Sequence, residues 1–192
     1  LTAYHPPTVT DSVAPNIQMN RVELFNETIP WVRLNEQKDT TLLLSNGVTV
    51  SNVTFDDVSK WYGLPQNLSL PYDNNNLNFN FVGITLSQAQ KAKYQYQLVG
   101  LEKNRSTVTD RTSASYGSLP PGTFTFKVKA MTGKGVWSPD FDYTFTIRPP
   151  WWKTWWAYLL YVAFIGGGLA LYRRNEMAQQ ELENKLALEQ YK

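Results

Sequence analysis

Two stretches near the middle of the chain decide its fold: residues 124–130 read FTFKVKA, and residues 141–147 read FDYTFTI. Apolar and polar residues alternate in both, which is the pattern of a strand with one face in a core and the other in water. The turn-forming sequence GKG at residues 133–135 lies between them. Alternating strands joined by a short turn indicate an antiparallel sheet.

The same alternation recurs through most of the chain. Three further stretches show it, at residues 17–25, 77–81 and 94–98. Turn-forming clusters follow at residues 73–76 and 119–122. No convincing amphipathic helix precedes residue 150. We therefore expect residues 12–149 to form an all-β domain, a fibronectin III/immunoglobulin-like antiparallel β-sandwich of two sheets.

An uncharged run, WWAYLLYVAFIGGGLALY, occupies residues 155–172, close to the roughly 20 apolar residues that a spanning helix needs. Aromatic and basic residues flank or begin it, namely Trp151, Trp152, Trp155 and Trp156 at one end and Arg173 and Arg174 at the other. Clustered tryptophans are typical of a membrane–water interface, and the arginine pair favours a cytoplasmic C-terminus. A buried core helix, the alternative, explains neither flank. We predict a single transmembrane helix at 150–173, with these six residues at the membrane interfaces.

The residues after this run are predicted to continue as a helix beyond the membrane. Residues 174–192 contain strong helix formers and neither glycine nor proline, so we predict a cytoplasmic helical linker there. About two heptads are too few to decide whether it is a coiled coil. The glycines at 166–168 could let two membrane helices approach closely, or they could merely loosen the helix.

Composition excludes several function classes. The 192 residues include no cysteine, so disulfides and cysteine-based metal sites are excluded, and the net charge of +2 gives no reason to expect nucleic-acid binding. A single histidine, His5, excludes a histidine-cluster metal site and a phosphoacceptor histidine elsewhere in this chain. No phosphate-binding loop, GxSxG or HExxH motif occurs. We expect no catalytic residue, no cofactor and no metal. The chain begins with Leu1, so we expect a fragment or a processed product.

Carboxylates give no convincing active site. Asp56 and Asp57 are adjacent, so on a strand they would point to opposite faces and could not form an acid–base pair. Asp140 and Asp142 are interpreted as solvated carboxylates at a strand edge. Residues 73–76 lack the glycine and the distal glutamate of a calcium loop and predict a β-turn.

Two other residue types have a functional and a structural interpretation. Trp61, Tyr62 and Tyr72 could bind sugar rings, but packing in a core or an interface is the more common role of such side chains. Four sequons begin at Asn26, Asn52, Asn67 and Asn104. They would matter only in a eukaryotic secretory pathway, and some arise by chance in an asparagine-rich chain.

Several motifs together resemble a known family. They are LPYDNNNLNFNF (70–81), YQYQLVGLEKN (94–104), SYGSLPPGTFTFKVKA (115–130), GVWS (135–138) and PPWWKTWWAYLLYV (149–162). They resemble the Y_Y_Y domain, named for three tyrosines, with the membrane helix that follows it in hybrid two-component sensor histidine kinases of Bacteroidetes. The proline pair followed by paired tryptophans is the most specific of these motifs.

The resemblance implies a juxtamembrane fragment of a sensor in the bacterial inner membrane. Residues 1–11 would end a preceding β-propeller and link it to a periplasmic sandwich, and 174–192 would lead to a kinase core that this chain lacks, so the chain itself would not be an enzyme. A ligand, generally an oligosaccharide bound mainly outside this fragment, would rearrange a homodimer. The alternative is a membrane-anchored adhesion or carbohydrate-binding surface domain.

Two positions depart from the family pattern. Arg105 stands where the family often has tryptophan, and Phe124 stands where a tyrosine of the sandwich corner is usual. Tyr94 or Tyr96 and Tyr116 match the other tyrosines. Because Phe124 has no hydroxyl, we expect this corner to be packed rather than hydrogen-bonded.

Overall fold

The computed structural model describes residues 14–37, 41–84 and 92–190, with side chains described as far as residue 177. The segment predicted to end a propeller, residues 1–11, lies outside the described residues. The chain divides into two compact units, Leu1–Arg148 and Pro149–Lys192. Each unit is described by itself.

The first unit is a β-sandwich, as the alternating pattern predicts. One sheet has the order β2-β1-β6-β8, formed by β1 (Asn16–Leu24), β2 (Glu27–Thr28), β6 (Leu77–Ile84) and β8 (Ser113–Tyr116). The other has the order β5-β10-β9-β7, formed by β5 (Leu68–Leu70), β7 (Lys93–Val99), β9 (Gly122–Met131) and β10 (Phe141–Ile147). Two short strands, β3 (Leu42–Leu43) and β4 (Thr49–Val50), pair separately. All neighbours are antiparallel except β10 and β5, which are parallel.

The core lies between the inward faces of the two sheets. On β9 every second residue from Phe124 to Ala130 is buried, as period-two alternation requires. The rings of Phe79 on β6 and Phe126 on β9 stack with their centroids 4.5 Å apart, which joins one sheet to the other. Both side chains are fully buried, and burying each contributes roughly 2–3 kcal/mol to folding.

A short helix lies within the β-domain, where the sequence predicted none. Helix α1 (Trp31–Gln37) buries only Trp31 and Leu34. The indole Nε1 of Trp31 donates to the carbonyl of Val22 at 3.0 Å, and its ring meets Phe55 edge to face at 5.8 Å. The prediction fails here because two inward side chains are too few to produce a helical period, so tertiary contacts determine this helix.

The second unit is dominated by one long helix. A 3-10 turn at Trp151–Lys153 precedes helix α2, which runs without a break from Trp155 to Gln190. Within it, Trp155–Met177 is long and apolar enough to cross a membrane. The predicted membrane segment at 150–173 thus comprises a separate turn and then the start of α2, and the predicted linker continues the same helix.

Candidate functional site

Three tryptophans form a compact aromatic cluster at the start of the second unit. The ring of Trp151 lies perpendicular to that of Trp152 at 5.6 Å and stacks on that of Trp156 at 6.2 Å. The 3-10 turn brings them together, because the amide of Lys153 donates to the carbonyl of Pro150 at 2.9 Å and the Thr154 hydroxyl donates to the carbonyl of Trp151. The chain turns at this point before α2 begins.

The exposed apolar helix has polar or amphipathic residues at both ends. Phe164 is 85% exposed and Leu169 is 60% exposed, so these apolar side chains in the middle of the helix are not covered by the described part of the chain. Trp155 and Arg173 lie about 27 Å apart along the helix axis at 1.5 Å per residue, near the roughly 30 Å of a bilayer core. A separation of about 27 Å is compatible with the prediction that Trp155 and Arg173 lie at opposite membrane interfaces. Nothing lies within 4 Å of a Cβ built on any glycine at 166–168, so their role stays a prediction.

In the sandwich, Tyr116 and Glu102 form a hydrogen-bonded brace. The Tyr116 hydroxyl donates to Oε2 of Glu102 at 3.1 Å, and the amide of Leu98 donates to the same oxygen at 2.7 Å. Burial, followed by the charge of Glu102, raises the pKa of Tyr116. A protonated tyrosine thus links β8 to the turn after β7.

Tyr94 and Phe124, which were also considered in the family pattern, have structural contacts in the sandwich. The Tyr94 hydroxyl accepts a hydrogen bond from the amide of Gly83 at 3.0 Å. Phe124 is buried and packs against Phe145 at 5.7 Å, so this corner is packed, as expected. A Cβ at Gly100, where φ is +102°, would lie 3.0 Å from the Phe124 ring. Glycine therefore allows the corner to close around the phenylalanine.

A second tyrosine hydroxyl is buried at Tyr143, which sequence reasoning missed. It donates to the carbonyl of Pro65 at 2.7 Å and links β10 to the loop before β5. Burial raises the pKa of Tyr143, so the phenol remains a donor. The two residues are 78 positions apart, and no local pattern indicates the contact.

Arg105 has a structural partner. Its two terminal nitrogens bind the two carboxylate oxygens of Asp140 at 3.1 and 2.6 Å, and these hydrogen bonds hold the pKa of Asp140 below its usual range. Asp142 pairs with Lys127 at 2.6 Å. Asp140 and Asp142 are both exposed, which confirms their interpretation as solvated carboxylates, and each also forms an ion pair with a cation on a neighbouring segment.

The remaining carboxylates also have structural roles. Asp56 accepts from the side-chain amide of Asn67 at 2.7 Å, and Asp57 accepts from that of Asn35 at 3.1 Å. Each carboxylate thus tethers a loop to an asparagine. Among the side chains that the structure describes, in residues 14–37, 41–84 and 92–177, no group of three or more acidic or histidine residues could hold a metal ion.

Backbone conformation explains three of the four sequon asparagines. Asn26, Asn52 and Asn67 have φ of 62°, 55° and 52°. This left-handed region is one that asparagine enters more easily than most residues do. The backbone at these positions therefore favours asparagine, whether or not a glycan is ever attached.

Trp61 is not packed in the core, contrary to the more common role of tryptophan. It is 92% exposed, and its neighbour Tyr62 is 40% exposed. Tyr62 also lines a groove of about 500 Å³ between β1, α1 and the loop before β5. The sequence contained a signal of this exposure, because Trp61 and Tyr62 are adjacent aromatic residues in a segment that lacks the apolar–polar alternation of a buried strand.

Part of the chain matches a known domain family and a histidine kinase. Residues 86–148 match the Y_Y_Y domain. Over 123 residues the chain is 32% identical to Histidine kinase P4 of Formosa agariphila, and the match covers 64% of this chain and 9% of that protein. The chain therefore spans about a tenth of the length of this curated relative.

Solved structures of extracellular domains from B. thetaiotaomicron show a partial likeness to this chain. Two are of BT4673, described in one case as a one component and in the other as a hybrid two component system, with TM-scores of 0.49 and 0.47 and identities of 19% and 23%. A third, BT3049, described as a hybrid two component system, has a TM-score of 0.47 and 20% identity. Each match covers 71% of this chain and 16% of the other. At these identities the likeness concerns the fold alone.

Proposed function

Because residues 86–148 carry a Y_Y_Y domain, we propose that this chain is the juxtamembrane signal-transducing segment of a sensor histidine kinase. The sandwich lies outside the cytoplasm, α2 crosses the inner membrane once, and the end of α2 leads toward a kinase core. The histidine kinase relative supports the sensor role. The chain itself acts as a relay and not as an enzyme.

The observation that carries this proposal is the continuity of α2. The helix has 36 residues and is therefore about 54 Å long, whereas a bilayer with its headgroups measures roughly 40–45 Å. Its C-terminal part therefore extends beyond the membrane as the same rod that crosses it. A displacement at one end of such a continuous helix can be carried to the other end.

The residues at the two ends of the spanning stretch favour one orientation. The aromatic cluster of Trp151, Trp152 and Trp156 suits the outer interface, and Arg173 with Arg174 suits the cytoplasmic side. This orientation puts the sandwich in the periplasm. It also directs the polar end of α2 into the cytoplasm.

Signalling through this segment requires two copies with two arrangements. A ligand, which we take to be an oligosaccharide bound mainly by preceding domains, shifts the equilibrium only if it binds one dimer arrangement more tightly than the other. The packed core of the sandwich makes it suitable as a rigid lever. A change at the sandwich ends then alters the spacing or rotation of the paired α2 helices.

A cysteine scan tests the relay. This chain contains no cysteine, and any cysteine elsewhere in the full-length protein is first replaced with serine. Single cysteines are placed at successive positions from Leu159 to Leu171 in the full-length protein, and the disulfides formed in membranes are compared with kinase autophosphorylation. We expect crosslinks to recur every three to four residues and the locked dimers to differ in autophosphorylation along the same period. Crosslinks without a period, or equal activity in all locked dimers, would contradict the relay.

A further inference from the structure

Helix α1 forms one wall of a groove whose other walls are β1 and the loop before β5. The indole Nε1 of Trp31 donates to the carbonyl of Val22 on β1 at 3.0 Å. The side-chain amide of Asn35 donates to Oδ1 of Asp57 in the loop at 3.1 Å. The helix is therefore tied to both of its neighbours, so the groove is formed without a ligand, as most small-molecule sites are.

The loop approaches the helix closely because residue 63 is glycine. A Cβ on Gly63 would lie 2.9 Å from Cγ2 of Val32 on α1. The turn itself is closed, since the amide of Gly63 donates to the carbonyl of Ser59 at 2.9 Å and the amide of Leu64 donates to the Ser59 hydroxyl at 3.0 Å. The groove left between these elements measures about 500 Å³, which is the size of a site for a small ligand.

Two side chains of opposite charge on α1 line this groove. Arg33 and Glu36 are three positions apart, so they lie on the same side of the helix. Both are exposed, and neither forms an ion pair in the part of the chain that the structure describes. A guanidinium and a carboxylate are therefore both available to a ligand that carries both charges.

The rest of the lining adds a second cation and apolar surface. Arg21 on β1 also lines the groove, and its contact with Glu23 is long, at 3.4 Å, with 54% of the Arg21 side chain exposed. A guanidinium matches the geometry of a carboxylate, which it can bind through two hydrogen bonds. Val32 and Tyr62 line the same groove and are 48% and 40% exposed. Together these features fit a carboxylate and an ammonium group carried on a small apolar body.

We propose that this groove binds a free α-amino acid with an apolar side chain. Arg33 binds the α-carboxylate, and Arg21 adds positive charge to the same groove. Glu36 accepts hydrogen bonds from the α-ammonium group, and the side chain of the ligand packs against Val32 and Tyr62. The site belongs to the sandwich alone and does not rest on the proposed relay through α2.

The first test compares ligands, using the full chain in lipid nanodiscs with empty nanodiscs as the blank. L-leucine and L-phenylalanine are titrated and followed by saturation-transfer NMR. The N-acetyl and the amide derivative of each are titrated in the same way, because the first lacks the ammonium group and the second lacks the carboxylate. We expect at least one free amino acid to bind. Its two derivatives should bind about tenfold more weakly, since each loses a charge-assisted hydrogen bond.

The second test uses two variants with matched controls. Arg33→Gln and Glu36→Gln should each weaken binding of the free amino acid about tenfold, for the same reason. Arg111→Gln and Asp110→Asn remove the same charges at exposed positions that do not line the groove, and they should leave binding unchanged. Circular dichroism verifies that all four variants are folded.

The proposal is overturned if neither amino acid binds at millimolar concentration. It is overturned equally if either derivative binds as tightly as its free amino acid, because the ligand would then not need both charges. Binding as tight as that of the parent in folded Arg33→Gln or Glu36→Gln would also overturn it, as would an equal loss in the corresponding control.

Discussion

The hydroxyl of Tyr116 lies 3.1 Å from Oε2 of Glu102, and the same oxygen accepts the backbone amide of Leu98. One carboxylate thus satisfies a side chain of β8 and the backbone at the end of β7. Tyr116 lies within residues 86–148, which match the Y_Y_Y domain, and the sequence predicts that it is one of the tyrosines of that family. Its role in this chain is to fasten the edge of one sheet to a turn of the other.

Replacing Tyr116 with phenylalanine removes the hydroxyl and leaves the ring in place. We expect the free energy of unfolding to fall by about 1 kcal/mol, the net value of a typical hydrogen bond. Urea unfolding of the nanodisc-embedded chain, followed by near-ultraviolet circular dichroism, measures this loss. Glu102→Ala should cost more, because it removes the acceptor of two bonds. An unchanged unfolding midpoint in both variants would show that the brace contributes nothing.

The ion pair of Arg105 and Asp140 predicts a dependence on pH. Because the pKa of folded Asp140 is lowered, the pair stabilises the fold above the pKa of the unfolded aspartate, about 4, and this contribution is lost as pH falls through the lowered value. Asp140→Asn should reduce stability at pH 7 by about 0.5–1 kcal/mol. It should also flatten the loss of stability below pH 4.

Urea midpoints measured between pH 2 and pH 7 check this dependence. Asp142→Asn serves as the control, since the side chain of Asp142 is 48% exposed in its pair with Lys127, against 33% for Asp140. We expect a smaller effect from the control. A parallel pH profile for Asp140→Asn and the parent would contradict the assignment.

Replacing Gly63 with alanine should lower the free energy of unfolding for two separable reasons. Alanine at this position must adopt φ of +61° and places its Cβ 2.9 Å from Val32. We expect Gly63→Ala to cost about 1–2 kcal/mol from the left-handed backbone alone, and more from the clash. Gly47→Ala is the matched control, because its φ is +83° and nothing lies within 4 Å of the new Cβ.

A second substitution isolates the clash. Val32→Ala in the Gly63→Ala background should recover part of the lost unfolding free energy, measured by thermal or urea unfolding of both variants. If Gly63→Ala costs no more than Gly47→Ala, the close approach of the loop to α1 is wrong.

Tyr143 has a buried hydroxyl whose partner lies far away in the sequence. Its hydroxyl is buried and donates to the carbonyl of Pro65 at 2.7 Å. Tyr143→Phe leaves that carbonyl without its donor, so we expect a loss of about 1–3 kcal/mol in unfolding free energy. The loss should exceed that of Thr144→Val, an outward-facing neighbour on β10 whose hydroxyl is exposed. An equal loss in the two variants would argue against a special role for the buried bond.

The regular strands could be predicted because alternation is a local property. Residues 141–147 were predicted as a strand, and β10 occupies Phe141–Ile147. Helix α1 could not be predicted, since it depends on the contact of Trp31 with Val22. The same holds for Arg105 and Asp140, which are 35 positions apart.

The candidate sites differ in the same way, because some follow from the local sequence and others depend on tertiary contacts. The predicted interface residues follow from composition, because lipid and water select residue types directly; they are Trp151, Trp152, Trp155, Trp156, Arg173 and Arg174. The groove at Tyr62 follows from how α1 and a loop meet, and the sequence indicated only that Trp61 and Tyr62 were aromatic. The exposure of Trp61 required the structure.

The central claim is that α2 crosses the membrane with the sandwich outside and the end of the helix in the cytoplasm. Because the chain has no cysteine, single cysteines at Leu43, 70% exposed on the sandwich, and Met177, 62% exposed at the end of the apolar run, report on the two sides separately. Bacterial spheroplasts expressing each variant are treated with a membrane-impermeant maleimide before and after lysis. We predict that Leu43→Cys is labelled in intact spheroplasts and Met177→Cys only after lysis. Labelling of both, or of Met177→Cys alone, in intact spheroplasts would contradict the account.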